Sequence, residues 1–136
     1  MPSMIVTGAA HGLGKSIAEH AARAGYKVGV LDLVLEQARK VAEDIGGVAL
    51  AADVSDVSSV EKAFSEFGEA PDVLINNAGI LRTGPLLDHN IDDFRRVIDI
   101  NLSSVFIVAQ IAARRMKDAG GGCIINMSSV NGINPS

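Results

Sequence analysis

These 136 residues hold no tryptophan, one cysteine, one tyrosine and a single short run of bases. A lone thiol, Cys123, cannot close an internal disulfide, so the fold has to rest on packing and nothing points to an oxidising compartment. The run of bases is Arg114-Arg115-Met116-Lys117, and at a net charge of −4 the chain lacks the cationic face that displaces counterions from phosphates. Nucleic acid is therefore not an expected partner. Apolar runs are short and interrupted, well below the roughly 20 residues of a membrane-spanning helix, and no charged-then-apolar leader precedes Met4-Ile5-Val6. The expected location is the cytoplasm, with no membrane partner. The three histidines, His11, His20 and His89, have no metal-ligand spacing, so no metal site is expected. Cys123 stands beside Ile124-Ile125 and reads as a buried strand residue.

What the chain does have is 48% hydrophobic composition, enough to fill the core of one domain, and 1–136 reads as a single domain. Short β-branched runs alternate with longer stretches of helical period. The strands are expected at Met4 to Thr7, Lys27 to Leu31, Gly47 to Ala51, Val73 to Asn76 and Cys123 to Met127. Helices are expected at Gly12 to Ala24, Val34 to Ile45, Ser58 to Phe67 and Asp92 to Lys117. In the first helix Leu13, Ile17 and Ala21 share a face; in the last, Phe94, Val97, Ile98, Val105 and Ile111 do the same. Such alternation predicts an α/β fold with a parallel sheet, doubly wound because its crossovers are right-handed. Its ligand crevice lies beyond the carboxyl ends of the strands, where the winding reverses.

The residues at those ends are distinctive. Thr7-Gly8-Ala9-Ala10-His11-Gly12-Leu13-Gly14 joins the first strand to the first helix. Gly8 permits a sharp turn, Gly12 lets backbone N–H groups approach a pyrophosphate, and Gly14 lets the helix pack against the sheet. The helix then points its positive end at the anion. Asp32 ends the second strand about 20 residues on, the separation at which an acid meets an adenosine ribose. Its charge would oppose a 2′-phosphate by about 4 kcal/mol at 4 Å and an effective dielectric of 20. Neither His11 nor Leu33 supplies a fixed cation in compensation. NAD is thus expected rather than NADP.

Four segments together resemble the short-chain dehydrogenase/reductase family: Thr7 to Gly14, Asp53-Val54, Asn76-Asn77-Ala78-Gly79, and Asn126-Met127-Ser128-Ser129. The resemblance runs from Met4 to Ser136 and implies a Rossmann-type sheet of strand order 3-2-1-4-5, without the family's later strands. It implies cofactor contacts at Gly8, His11, Gly12, Leu13, Gly14, Asp32 and Leu33. Asp53 and Val54 would take the adenine ring, and Asn77, Ala78 and Gly79 the adenosine and nicotinamide-ribose side. It further implies catalytic roles for Asn101, which in the family holds a proton-relaying water, and for Ser129, which bonds the substrate oxygen; Ser128 is the weaker serine.

The implied activity is an NAD(H)-dependent oxidoreductase interconverting an alcohol and a ketone, as a homo-oligomer. The loop Ile80 to Asn90 would meet the substrate. The family's general acid/base is a tyrosine four residues before a lysine, and no such pair is present; the one tyrosine, Tyr26, lies at the wrong end of a strand. A cofactor-binding half, inactive alone, is the leading reading. The alternatives are a non-catalytic nucleotide-binding module and, on weaker grounds, a flavodoxin-like mononucleotide fold. In the family the last strand lies inside a larger sheet, so here it would expose backbone and apolar flanks, and association is expected.

Overall fold

The computed structural model describes residues 1–133. Five strands, β1 (Ser3–Thr7), β2 (Lys27–Asp32), β3 (Val48–Ala51), β4 (Val73–Asn76) and β5 (Cys123–Asn126), alternate with helices. These are α1 (Gly12–Arg23), α2 (Leu35–Ile45), α3 (Val57–Phe67), α4 (Ile91–Ile98) and α5 (Ser104–Asp118), with a π-helical turn over Asp99–Ser103. All pairings are parallel and the order is β3-β2-β1-β4-β5. This is the doubly wound α/β arrangement of Rossmann type, with the five strands at the expected places.

Side-chain alternation explains the two layers. In β1, Ile5 faces one side with Leu31, Leu50 and Leu74, where Phe64 of α3 and Val108, Ile111 and Met116 of α5 cover it. Met4 and Val6 face the other side with Val28 and Val30, under Ala18 and Ala21 of α1 and Ala38 and Val41 of α2. Because both faces are covered, the central strands read as continuous apolar runs. The alanines of α1 and α2 let those helices lie close to the sheet, and Gly46 in the left-handed region (φ 67°) ends α2.

Three expectations are corrected. Cys123 is exposed, because β5 is the last strand of the order and has a neighbour on one side only. The long helix is not uniform but broken by the π turn, and its expected apolar face does not hold together. Phe94 and Ile98 are exposed while Ile111 is buried. The reason is that this helical run is apolar on two sides: Ile100, Val108 and Ile111 point inward, whereas Ile91, Phe94, Ile98, Leu102 and Phe106 form an outer stripe. Periodicity alone cannot separate two such stripes. Lastly, the interrupted apolar segments join into one helical run, Ile91–Asp118, of 28 residues, by length and composition enough to cross a membrane. Its second half is a core helix here, with Val108, Ile111, Ala112 and Met116 buried on the sheet.

Candidate functional site

A cleft opens at the carboxyl ends of the strands, and β1 and β4 frame it. Their ends are tied by Thr7, a buried side chain whose Oγ1 accepts the N–H groups of Asn77 at 3.0 Å and Ala78 at 2.9 Å. Asn77 returns the tie: its Nδ2 donates to the carbonyls of Thr7 at 3.1 Å and Gly8 at 3.3 Å. A rigid corner results, built from one hydroxyl and one amide.

Two glycines of the loop are required by this corner. Gly8 takes φ 63°, and a Cβ there would come within 2.9 Å of the Ala78 Cα. Gly14, in the first turn of α1, leaves no room at all: a Cβ would overlap the Gly8 carbonyl oxygen and the Asn77 amide nitrogen. α1 can therefore begin directly against the β1–β4 corner. His11 precedes it in extended conformation, no side chain caps its N–H groups, and no acid stands in its first turn. Free N–H groups and the positive end of the helix dipole thus face outward beside Gly12 and Leu13.

Asp32 is 7% exposed at the end of β2. Its Oδ2 accepts the Ala10 N–H at 3.1 Å, its Oδ1 the Leu33 N–H at 2.8 Å, and the His11 Nδ1 stands 3.8 Å from Oδ2. The carboxylate is folded beneath the loop rather than solvated. Each oxygen has one further lone pair, so hydroxyl donors entering the cleft can still be accepted.

The far wall is the turn after β3. Asp53 and Val54 line the cleft with Ala52, Leu31, Ile80 and Ile100, an apolar slot with one acid on its rim. The Ser55 hydroxyl and N–H donate to Asp53 Oδ1 at 2.6 and 3.0 Å, and the Ser59 Oγ accepts the Asp53 N–H at 3.0 Å. From α4, Arg96 donates to Ser55 Oγ at 2.9 Å and reaches Asp53 Oδ2 at 3.5 Å. Burial pushes the Asp53 carboxyl up, but the Ser55 bonds and then the Arg96 charge outweigh it and hold the group below its ordinary value.

Of the residues singled out from sequence, the cleft gathers Gly8, His11, Asp32, Leu33, Asp53, Val54, Ala78 and Gly79. Gly12, Leu13 and Gly14 stand beside it on α1, and Asn77 braces it from behind. Asn101 lies in the π turn, and its amide clamps the backbone of Ile80: Oδ1 accepts the N–H and Nδ2 donates to the carbonyl, both at 2.8 Å. Ser129 follows β5, exposed, its Oγ accepting the Asn131 N–H at 3.2 Å. Among the described residues no hydrogen bond joins Asn101 to Ser129. Among those residues no group of three or more His, Cys, Asp or Glu side chains is gathered in one place.

Sequence reasoning missed the tie through Thr7, the Asn76 Nδ2 bond to Asn126 Oδ1 at 2.9 Å that couples β4 to β5, and Arg96. The first two lay inside quoted motifs, where a polar residue in an apolar strand end was a usable signal. For Arg96 there was none, since its partners are more than 40 residues away in the chain.

Comparison with known proteins agrees with this geometry. A family model described as short chain dehydrogenase matches residues 2–136. D-threitol dehydrogenase of Mycolicibacterium smegmatis is 39% identical over 92% of this chain and 51% of its own length. Cyclohexanol dehydrogenase of Acinetobacter is 40% identical over 95% of this chain and 55% of its own. The chain thus spans about half the length of the curated relatives it matches. A solved structure named ribose-5-phosphate isomerase, from Brucella melitensis 16M, superposes with a TM-score of 0.92 at 34% identity, covering 97% of this chain and 53% of that one. Its name says isomerase where the relatives above are dehydrogenases, and fold is what that likeness carries. With a matching family model over nearly every residue and the motifs in their strand-end positions, this chain belongs to the short chain dehydrogenase family.

Proposed function

We propose that the chain is the cofactor-binding part of an NAD(H)-dependent oxidoreductase that interconverts an alcohol and a ketone. The observation that carries the cofactor choice is Asp32, a buried carboxylate whose neighbours on the rim are an exposed imidazole and a leucine rather than a fixed cation. A 2′-phosphate brought there would meet that negative charge, and the arginine lining the cleft, Arg96, is engaged with Ser55 and Asp53 on the far wall. Ribose hydroxyls, by contrast, meet two carboxylate oxygens with acceptor capacity left.

The residues fit the rest of a dinucleotide. The uncapped start of α1, cleared of side chains by Gly8, Gly12 and Gly14, would hold the pyrophosphate. The slot ending in Asp53 would hold the adenine ring. A bound nicotinamide ring supplies the chemistry, taking or giving a hydride. Asn101 fixes the Gly79-Ile80 exit that borders the nicotinamide side, and the exposed Ser129 hydroxyl is free to donate toward a substrate oxygen on which charge grows. The named relatives act on polyols and cyclic alcohols, which supports a small secondary alcohol as the substrate.

On their own, 1–136 are proposed as a single cofactor-binding domain that does not turn over, resident in the cytoplasm. Tyr26 precedes β2, at the end of the sheet opposite the cleft, so no phenol stands ready to exchange the proton. That observation also favours a second reading, a nucleotide-binding module with no catalysis of its own. Titration separates the elements of the proposal. NADH should bind at least tenfold more tightly than NADPH, and Asp32→Ala should raise the Kd for NADH about tenfold, near 1.4 kcal/mol, while narrowing the gap to NADPH. An unchanged NADH titration in Asp32→Ala would remove the assignment.

A further inference from the structure

Arg96 stands apart on α4. Its helix neighbours Phe94 and Ile98 face solvent, whereas its guanidinium turns to the cleft and bridges to a turn 41 residues earlier in the chain. As a source of stability the bridge is weak. The Arg96 and Asp53 side chains are 40% and 34% exposed, and solvent screening leaves ion pairs of that kind with little effect on stability. What it does fix is an orientation. Asp53 Oδ1 already holds two donors from Ser55, so it is saturated on that side. Arg96 touches Oδ2 at 3.5 Å, at the limit of a hydrogen bond, which leaves this oxygen able to accept another donor. An ionised carboxylate only accepts hydrogen bonds. Held in one rotamer and kept ionised, it accepts an amine and repels a carbonyl.

We propose that Arg96 is a positioning residue for base selection, bridging α4 to the Asp53–Ser55 turn so that Asp53 presents an acceptor-only edge that admits adenine and rejects hypoxanthine. The two bases differ where it matters: adenine carries an exocyclic amine, and hypoxanthine a carbonyl at the same position. The proposal rests on the nucleotide reading given above. A site that pairs with a donor discriminates strongly against a ligand lacking it, because its own polar group is left unpaired.

The test compares NADH with reduced nicotinamide hypoxanthine dinucleotide, by nucleotide fluorescence, on the wild-type chain and on Arg96→Met, Arg96→Lys, Ser55→Ala and Asp53→Asn. Wild type should prefer NADH at least tenfold. Arg96→Met should cut that preference at least threefold, Arg96→Lys should restore most of it, and Arg96→Met should change nothing further in an Asp53→Asn background. Additive losses in that cycle would overturn the proposal, since Arg96 would then not act through Asp53. A preference that rises in Arg96→Met would also overturn it, showing that the guanidinium meets the base directly. Should Arg96→Met fail to fold, Ser55→Ala decides, because it loosens the same carboxylate and must lower the same ratio. If wild type binds both nucleotides equally well, base selection is lost while the nucleotide reading stands; if it binds neither, the nucleotide reading itself has failed.

Discussion

Gly14 shows how strictly one residue can be set by its surroundings. The loop contains two kinds of glycine. Gly12 has φ 58° and open space around it, so a side chain there meets only backbone strain. Gly14 has ordinary helical conformation, yet a Cβ on it would overlap backbone and the Asn77 amide. The overlapping atoms belong to the corner itself and cannot swing aside as a flexible side chain would. We expect Gly14→Ala to lower stability by about 1–3 kcal/mol, the usual cost of forcing a methyl group into filled space. Moving α1 off the corner should also weaken NADH binding. Urea unfolding of Gly14→Ala beside Gly12→Ala checks the first point: Gly14→Ala should have the lower midpoint, and equal midpoints would mean that the corner yields.

At the scale of elements, the π turn and the loop beside it act together. Asn101 makes two 2.8 Å bonds to the Ile80 backbone, one to each polar group, as a neighbouring strand would. It is exposed, so its two bonds are worth the low end of the usual range, about 1 kcal/mol in sum. Asn101→Ala should therefore cost little global stability but should free the loop locally. Amide exchange reads this directly: the Ile80 N–H should exchange much faster in the variant, and unchanged protection would show that the clamp does not hold the loop. The same region marks how far the sequence could be read. Strand and helix positions were legible because alternation and glycine stops are local signals, and so were Asp32 and the glycine loop, whose spacing carries their meaning. The Asn101–Ile80 clamp, the Thr7–Asn77 tie and the Arg96–Asp53 bridge span 21, 70 and 43 residues. Such pairings follow from topology; a polar residue at an apolar strand end, as at Thr7, marks one partner but leaves the other unspecified. The mistaken inner face of α4 had the converse cause, a helix carrying apolar residues on two sides.

Among the described residues, two of the open apolar surfaces predict different assemblies. One is the outer stripe of α4 and α5, where Leu102 and Phe106 are about two-thirds exposed. The other is β5, one of the sheet's two edges, with Ile125 and, just past the strand, Met127 partly bare and a row of unpaired backbone groups. A helical stripe is self-complementary across a two-fold axis, since the same residues can meet their copies, and the result is a closed dimer. An open strand edge pairs with another edge and draws further chains in when the sheet stays exposed. The helix stripe is longer, and its side chains rather than its backbone would make the contact, so we expect it to dominate and the chain to sediment as a dimer. Phe106→Glu should then give a monomer, because two like charges would face each other across the axis, while Ile125→Lys should leave the dimer intact. The reverse outcome, monomers from Ile125→Lys alone, would place the contact on the strand edge and leave the helix stripe without a partner in solution.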